Sequence, residues 1–198
     1  ELALENGSFI EFYDSILIHK IPRQENYSWY LVWYGYVVIK RSTFENWDML
    51  ALRSSNNTFD DFVLTNVQMG FHFDVNQTGS LNKIISRFAD EHGLHLRSIY
   101  RQGNNVTITN LQVVEIGIAD IEVENYTGIA NLINPTLNWS RIEWNNGTFS
   151  GKINRKYTYA LTTADSAGTA LANVSTKMID VKGDTLFNLI SGNSGNIS

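Results

Sequence analysis

Val63-Leu64-Thr65-Asn66-Val67-Gln68-Met69-Gly70-Phe71-His72-Phe73-Asp74 alternates along its length, with Val63, Thr65, Val67, Met69, Phe71 and Phe73 on one face and Leu64, Asn66, Gln68, His72 and Asp74 on the other. A period of two belongs to an extended chain with one face buried, so the stretch reads as a long strand. Ala170, Ala172, Val174, Thr176 and Met178 repeat the pattern against Leu171, Asn173, Ser175 and Lys177. Further strand candidates, rich in β-branched and aromatic residues, are 28–40, 48–53, 94–101, 106–118, 119–124, 137–144 and 156–163. Polar, turn-prone clusters such as Ser54-Ser55-Asn56-Asn57, Gly103-Asn104-Asn105, Asn145-Asn146-Gly147 and Ala167-Gly168 separate them. Many short strands joined by such turns predict a mainly β fold, an Ig-like or pilin-like β-sandwich.

One segment departs from the strand pattern. Leu81, Ile84, Ile85 and Phe88 follow helical spacing between a capping Ser80 and a terminating Gly93, which predicts one short helix plugging an end of the core. At the amino terminus, Pro22 follows an apolar run from Phe9 to Ile21 and marks a hinge. Residues 1–21 therefore read as an extended strand arm and 22–198 as the body, with a subdivision near Gly103 left open. Alone, the arm would expose an apolar edge, so it must be buried in its own body or in a neighbour.

Ten Asn-x-Ser/Thr sequons occur in 198 residues that contain no cysteine: Asn6, Asn26, Asn56, Asn76, Asn105, Asn125, Asn138, Asn146, Asn173 and Asn196. Random placement of the 22 Asn and 31 Ser or Thr gives about three. An N-linked glycan is bulky and polar and must stand on the surface, so the chain reads as a glycoprotein of the cell exterior whose leader has been removed. Without cysteine there are no disulfides, thiolate metal sites or cysteine nucleophiles, and robustness must come from the sheet, from glycan cover or from polymerisation.

Charged residues make up 18% of the chain and the formal net charge is −5, so Asn, Ser, Thr and Tyr carry much of the polarity. Such a surface changes little when carboxylates become protonated, a hint of an acidic setting. The 15 basic residues form no stripe, which excludes the electrostatic footprint of a nucleic-acid binder. Apolar runs such as 30–39 are too short to span a membrane.

Chemistry-bearing motifs are sparse. Glu91-His92-Gly93-Leu94-His95 brings two histidines close together but lacks the glutamate-containing zinc-protease pattern, and the pair is expected to be partly exposed on the surface. His19 and His72 stand alone on strands, and no Gly-x-Ser-x-Gly elbow is present. Gly147 to Lys152 is one residue short of a phosphate loop and is followed by Ile153 rather than Ser or Thr. Asp60-Asp61 and Glu115, Asp120, Glu122 and Glu124 read as solvated faces, and the EF-hand pattern is absent. Trp29, Tyr30, Trp33 and Tyr34 read as sheet packing. No catalytic residue, metal site or cofactor is expected, and the chain is expected not to be an enzyme.

The Cys-free, sequon-dense β pattern, the arm Glu1 to Ile21 and the hinge at Pro22 resemble the subunits of archaeal surface filaments called threads, and more broadly pilins assembled by donor-strand complementation. That resemblance implies a sandwich lacking one strand, completed by the arm of the next subunit in a head-to-tail homopolymer that serves adhesion or biofilm formation. Ile10, Phe12, Ile16 and Ile18 would fill the groove, with Leu186-Phe187-Asn188-Leu189-Ile190 as the alternative donor. Two other readings stay open: a monomeric surface-layer or adhesin module that binds carbohydrate or protein, its arm folded back as its own first strand, and a secreted glycan-acting enzyme using two acidic residues.

Overall fold

A computed structural model describes residues 2–4, 9–18, 30–98, 103–145, 150–179, 181 and 183–197. The chain divides into two compact units, Glu1–Tyr157 and Thr158–Ser198. In the first, strands alternate between two sheets. One sheet contains β1 (Leu2–Leu4), β4 (Tyr30–Trp33), β6 (Met49–Leu52), β8 (Phe71–Phe73), β10 (His92–Arg97), β13 (Ala119–Glu124) and β15 (Ile142–Asn145), neighbouring in that order. The other contains β2 (Phe9–Tyr13) and β3 (Ile16–Ile18), both on β5 (Tyr36–Glu45), then β7 (Thr58–Val67), β9 (Leu81–Ala89), β11 (Val106–Thr109) with β12 (Gln112–Val114), β14 (Ile129–Ile133) and β16 (Lys152–Lys156). Every one of these pairings is parallel. The result is a β-solenoid of about six turns.

This overturns the Ig-like or pilin-like β-sandwich. Alternation says that a strand has one buried face; it does not say whether its neighbour runs parallel or antiparallel, nor that it lies one coil further along the chain. Of the turn-prone polar clusters, Ser54–Asn57 and Gly103–Asn105 carry the chain from one sheet to the other, whereas Ala167-Gly168 turns within the second unit. Successive coils hide their repeat because their lengths differ: the column Ile39, Phe59, Leu81, Ile108, Leu132 advances by 20, 22, 27 and 24 residues.

The core is built from such columns. Leu50, Phe71, Leu94 and Ile121 stack through the first sheet, as do Leu52, Phe73, Leu96 and Val123, all with no exposed surface. Aromatic rings join the sheets, with Phe62 4.9 Å from Phe44, 5.2 Å from Phe59 and 5.3 Å from Phe71, each edge-on. Trp33 is buried, as its aromatic run implied. Burying each Leu or Phe contributes roughly 1.5–3 kcal/mol, and this stacking replaces the disulfides the chain lacks.

The expected helix over Leu81–Phe88 is the strand β9. Its three-residue spacing has a backbone cause. Lys83 and Phe88 adopt left-handed φ angles of 50° and 53°, and each resets the in-out alternation, so that Leu81, Ile84, Ser86 and Ala89 face the core. The same device in β7, at Asp61 and Asn66, puts Phe62, Leu64 and Val67 inside and leaves Val63 half-buried, so the face read from the opening stretch is reversed at Val63 and Leu64 and kept at Val67, Phe71 and Phe73. Among the described residues, eight of the twelve non-glycine positions with positive φ are Asn or Asp, the types that tolerate this conformation best. Part of the Asn richness is thus conformational.

Residues 9–18 of the expected arm pair in parallel with β5 of the same chain: Ile10 and Phe12 pack against the core, whereas Ile16 and Ile18 are 71% and 47% exposed. Pro22 lies outside the described residues, and the Gly103–Asn105 turn lies within the solenoid unit. The second unit contains two antiparallel pairs, β17 (Leu161–Thr162) with β20 (Asn196–Ile197) and β18 (Ser175–Ile179) with β19 (Thr185–Ile190). The alternative donor segment 186–190 is in β19, with Leu186 and Ile190 largely exposed.

Candidate metal centre

Three histidines converge on the first sheet. Because Phe71 and Phe73 point inward, His72 between them points out, and His95, paired with it one rung along, does the same between Leu94 and Leu96. His92 joins them through a break in the alternation. An added Cβ at Gly93 would lie 2.4 Å from Val113 Cγ1, so Gly93 faces the core and both His92 and His95 reach the outer side. Gly70 permits the close approach of the two rungs, since a Cβ there would come within 2.0 Å of Gly93 O.

The rings touch. His72 Nε2 is 3.0 Å from His92 Nε2 and 3.2 Å from His95 Nδ1, and His72 Nδ1 is 2.9 Å from His95 Nδ1. One nitrogen from each ring lies within 4.8 Å of the others. All three residues are buried, with 4–6% of their surface exposed. The expectation of two partly exposed surface histidines and a solitary His72 is corrected here: a parallel solenoid places residues 20 and 23 positions apart side by side, a proximity that spacing along the chain does not reveal.

Burial pushes all three histidines below the ordinary range. His72 lies well below it, with the neighbouring imidazoles adding to the effect; His95 falls to about 4; and His92 falls less because Glu122 opposes the shift. The rings are neutral near pH 7, the form that ligates metal ions.

Carboxylates from β13 stand behind two of them. Glu122 Oε2 is 2.8 Å from His92 Nδ1, within ion-pair reach, so the carboxylate favours the tautomer with the proton on Nδ1 and a bare Nε2. Glu124 Oε2 is 3.4 Å from His95 Nε2, within ion-pair reach, although that buried nitrogen makes no well-formed hydrogen bond. A cavity of about 340 Å³ opens over the cluster, walled by Met49, Met69, Arg53, Asp74 and Arg97. Burial raises the Asp74 carboxyl, and its Oδ1 has no partner.

No protein-family model, curated protein or solved structure matches the chain. Function therefore rests on the chemistry of the cluster.

As neutral rings and without an ion, the histidines cannot all satisfy one another. Once His92 Nδ1–H is given to Glu122, His72 Nε2–H can donate to His92 Nε2 and His95 Nδ1–H to His72 Nδ1. That arrangement turns the lone pair of His95 Nε2 against the Glu124 carboxylate. The other His95 tautomer faces Glu124 with a proton but sets two bare nitrogens around His72. A cation at the meeting point of His72 Nε2, His92 Nε2 and His95 Nδ1 relieves both conflicts. Nitrogens about 2.0–2.1 Å from a tetrahedral zinc ion stand about 3.3 Å apart, close to the separations between His72 Nε2 and its two neighbours.

Of the acidic residues singled out in the sequence, Glu122 and Glu124 reach this cavity. Asp120 is buried and accepts a hydrogen bond from Asn138 N; Asp61 pairs with Lys83; and Asp60 accepts from Asn82.

Proposed function

We propose that the chain is a metal-binding β-solenoid in which one late first-row divalent ion, with zinc as the reference, is held by His72, His92 and His95. The observation that carries this reading is the pair of histidines, each backed by a carboxylate, that turn ring nitrogens towards a third. A carboxylate behind a ligating imidazole fixes its tautomer and raises its basicity, the usual outer shell of a protein metal site. Three protein ligands leave the fourth position of a tetrahedral ion facing the cavity. Because β8 and β10 are neighbouring rungs, the ion ties two coils together in a chain without disulfides. Its role is then that of a metal-stapled scaffold.

Titration calorimetry with zinc on the metal-stripped chain tests this. One ion per chain is expected, with binding lost in His72→Ala and His95→Ala and kept in His19→Ala. Equal binding by all four proteins would sink the assignment.

A second reading keeps the surface filament in altered form. The first rung of the second sheet is an unpaired edge among the described residues, and it exposes Phe9, Tyr13, Ile16 and Ile18. A parallel edge of this kind can accept a further strand, and a second copy added there makes a head-to-tail contact that propagates. The solenoid has no half-empty sandwich groove, so the contact would extend the sheet rather than insert a strand into it. Electron microscopy separates the cases: filaments abolished by Ile16→Lys with Ile18→Lys support edge stacking, and discrete particles at every concentration oppose it.

A further inference from the structure

The solenoid sorts its asparagines. In sequence, the segments between a first-sheet strand and the second-sheet strand that follows it are 5–8, 34–35, 53–57, 74–80, 98–105, 125–128 and 146–151, and their described parts line one edge of the solenoid. Six of these seven contain a sequon: Asn6, Asn56, Asn76, Asn105, Asn125 and Asn146. Only 34–35 lacks one. The returning connections carry two, at Asn26 and Asn138, and the second unit carries Asn173 and Asn196. Asn6, Asn26 and Asn146 lie outside the described residues.

The edge is stacked rung on rung. Asn105 N donates to Asn76 Oδ1 at 3.0 Å, Ile129 N donates to Asn105 Oδ1 at 2.8 Å, Gln77 N donates to Asn105 O and Thr78 N donates to Ser55 O. At Asn76 and Asn105 the amide oxygen is thus held by the backbone of the next coil while Nδ2 makes no hydrogen bond among the described residues. Two adjacent pairs show how sharply the roles divide. In Asn56-Asn57 and Asn104-Asn105, Asn57 and Asn104 are buried; Asn57 Nδ2 donates to Ser54 O and Gln77 Oε1, and Asn104 Nδ2 donates to Phe73 O and Arg97 O. Their neighbours Asn56 and Asn105 are exposed, with Nδ2 making no hydrogen bond among the described residues, and of each pair they alone have Thr two positions on. Elsewhere Asn66, Asn82, Asn110, Asn134, Asn145 and Asn154 spend Nδ2 on the adjacent rung, and none of them begins a sequon. Asn125 is exposed, and its Nδ2 has only a long 3.5 Å contact to Glu124.

We infer that this edge carries a single-file row of N-linked glycans, at Asn56, Asn76, Asn105 and Asn125 among the described residues. The co-reactant is a polyprenyl phosphate- or diphosphate-linked oligosaccharide. Asn Nδ2 attacks the sugar C1, the bond from C1 to the lipid-phosphate oxygen breaks, the lipid phosphate leaves with the electron pair, and one amide proton is lost. The product keeps Oδ1, so the rung hydrogen bonds at Asn76 and Asn105 survive modification. Strands in a sheet are about 4.8 Å apart, so glycans on successive coils pack flank to flank. The row closes one edge to sideways association. This inference is independent of the metal.

Glycopeptide mass spectrometry of the chain from its native host resolves each site. Occupancy at Asn56, Asn76, Asn105 and Asn125 is expected, and Thr58→Ala, Thr107→Ala and Thr127→Ala should each remove one glycan mass while leaving the asparagine in place. Bare asparagines at these four positions, with or without glycans at Asn138, Asn173 and Asn196, would overturn the row and leave the edge a purely structural ladder.

Discussion

Glu122 Oε2 lies 2.8 Å from His92 Nδ1 on the adjacent rung, and a carboxylate at that distance favours the His92 tautomer that presents a bare Nε2 to His72, 3.0 Å away. Glu122→Gln keeps the size of the side chain but removes the charge that raises imidazole basicity. Zinc affinity should fall roughly 10- to 100-fold with the stoichiometry unchanged. Calorimetry on the two proteins reads the ratio directly, and equal affinities would remove Glu122 from the site.

Zinc should stabilise the fold by mass action. At a free concentration 100 times the dissociation constant, an ion that binds only the folded state adds about 2.7 kcal/mol. For a chain of this length that corresponds to a rise in Tm of roughly 5–10 °C. Scanning calorimetry with zinc and with chelator should show the rise, and His72→Ala should lose it.

Metal-free protein should weaken in acid. The three histidines are depressed in the fold, whereas in the unfolded chain they titrate near the ordinary 6.5. Between that value and about 4, the unfolded state binds more protons, so stability is fully present above pH 6.5 and is lost as pH falls towards 4. Urea denaturation at pH 7.5 and 4.5 should show this loss, and it should shrink when His92 and His95 are both replaced by Gln. The weakly charged surface suggested indifference to acid; the buried imidazoles act in the opposite direction.

Phe62 joins the two sheets through edge-on contacts with Phe44, Phe59 and Phe71 and has no exposed surface. Phe62→Ala should cost about 3–5 kcal/mol. Its metal stoichiometry should stay at one at temperatures where the variant remains folded.

Phe88 is half exposed and holds a left-handed φ of 53°, an unfavourable conformation for a bulky side chain. Phe88→Asn should stabilise the solenoid by about 0.5–1 kcal/mol, since Asn already fills the matching bend at position 66. A lower denaturation midpoint for this variant would show that the contact of Arg87 with the Phe88 ring outweighs the backbone relief.

Strand content was legible in the sequence, and β13 falls at Ala119–Glu124 as its alternation implied. Stacking was not. The left-handed residues at 61, 66, 83 and 88 shift the alternation by one, which exchanged the faces of Val63 and Leu64 in β7 and made β9 resemble a helix. Coils of 20 to 27 residues concealed the repeat that would have announced a solenoid. The metal cluster depends on that same stacking, because His72 meets His92 and His95 only when β8 lies beside β10. One signal was available: sequons recur at 56, 76, 105, 125 and 146, once per coil, and mark the period that the apolar residues obscure.

Zinc K-edge X-ray absorption on the stoichiometrically loaded chain tests the metal centre most directly. Three imidazole nitrogens at about 2.0–2.1 Å and one water oxygen in the open position are expected, and His72→Ala should lose this signal together with its zinc. A six-oxygen shell, or a spectrum unchanged by His72→Ala, would contradict it.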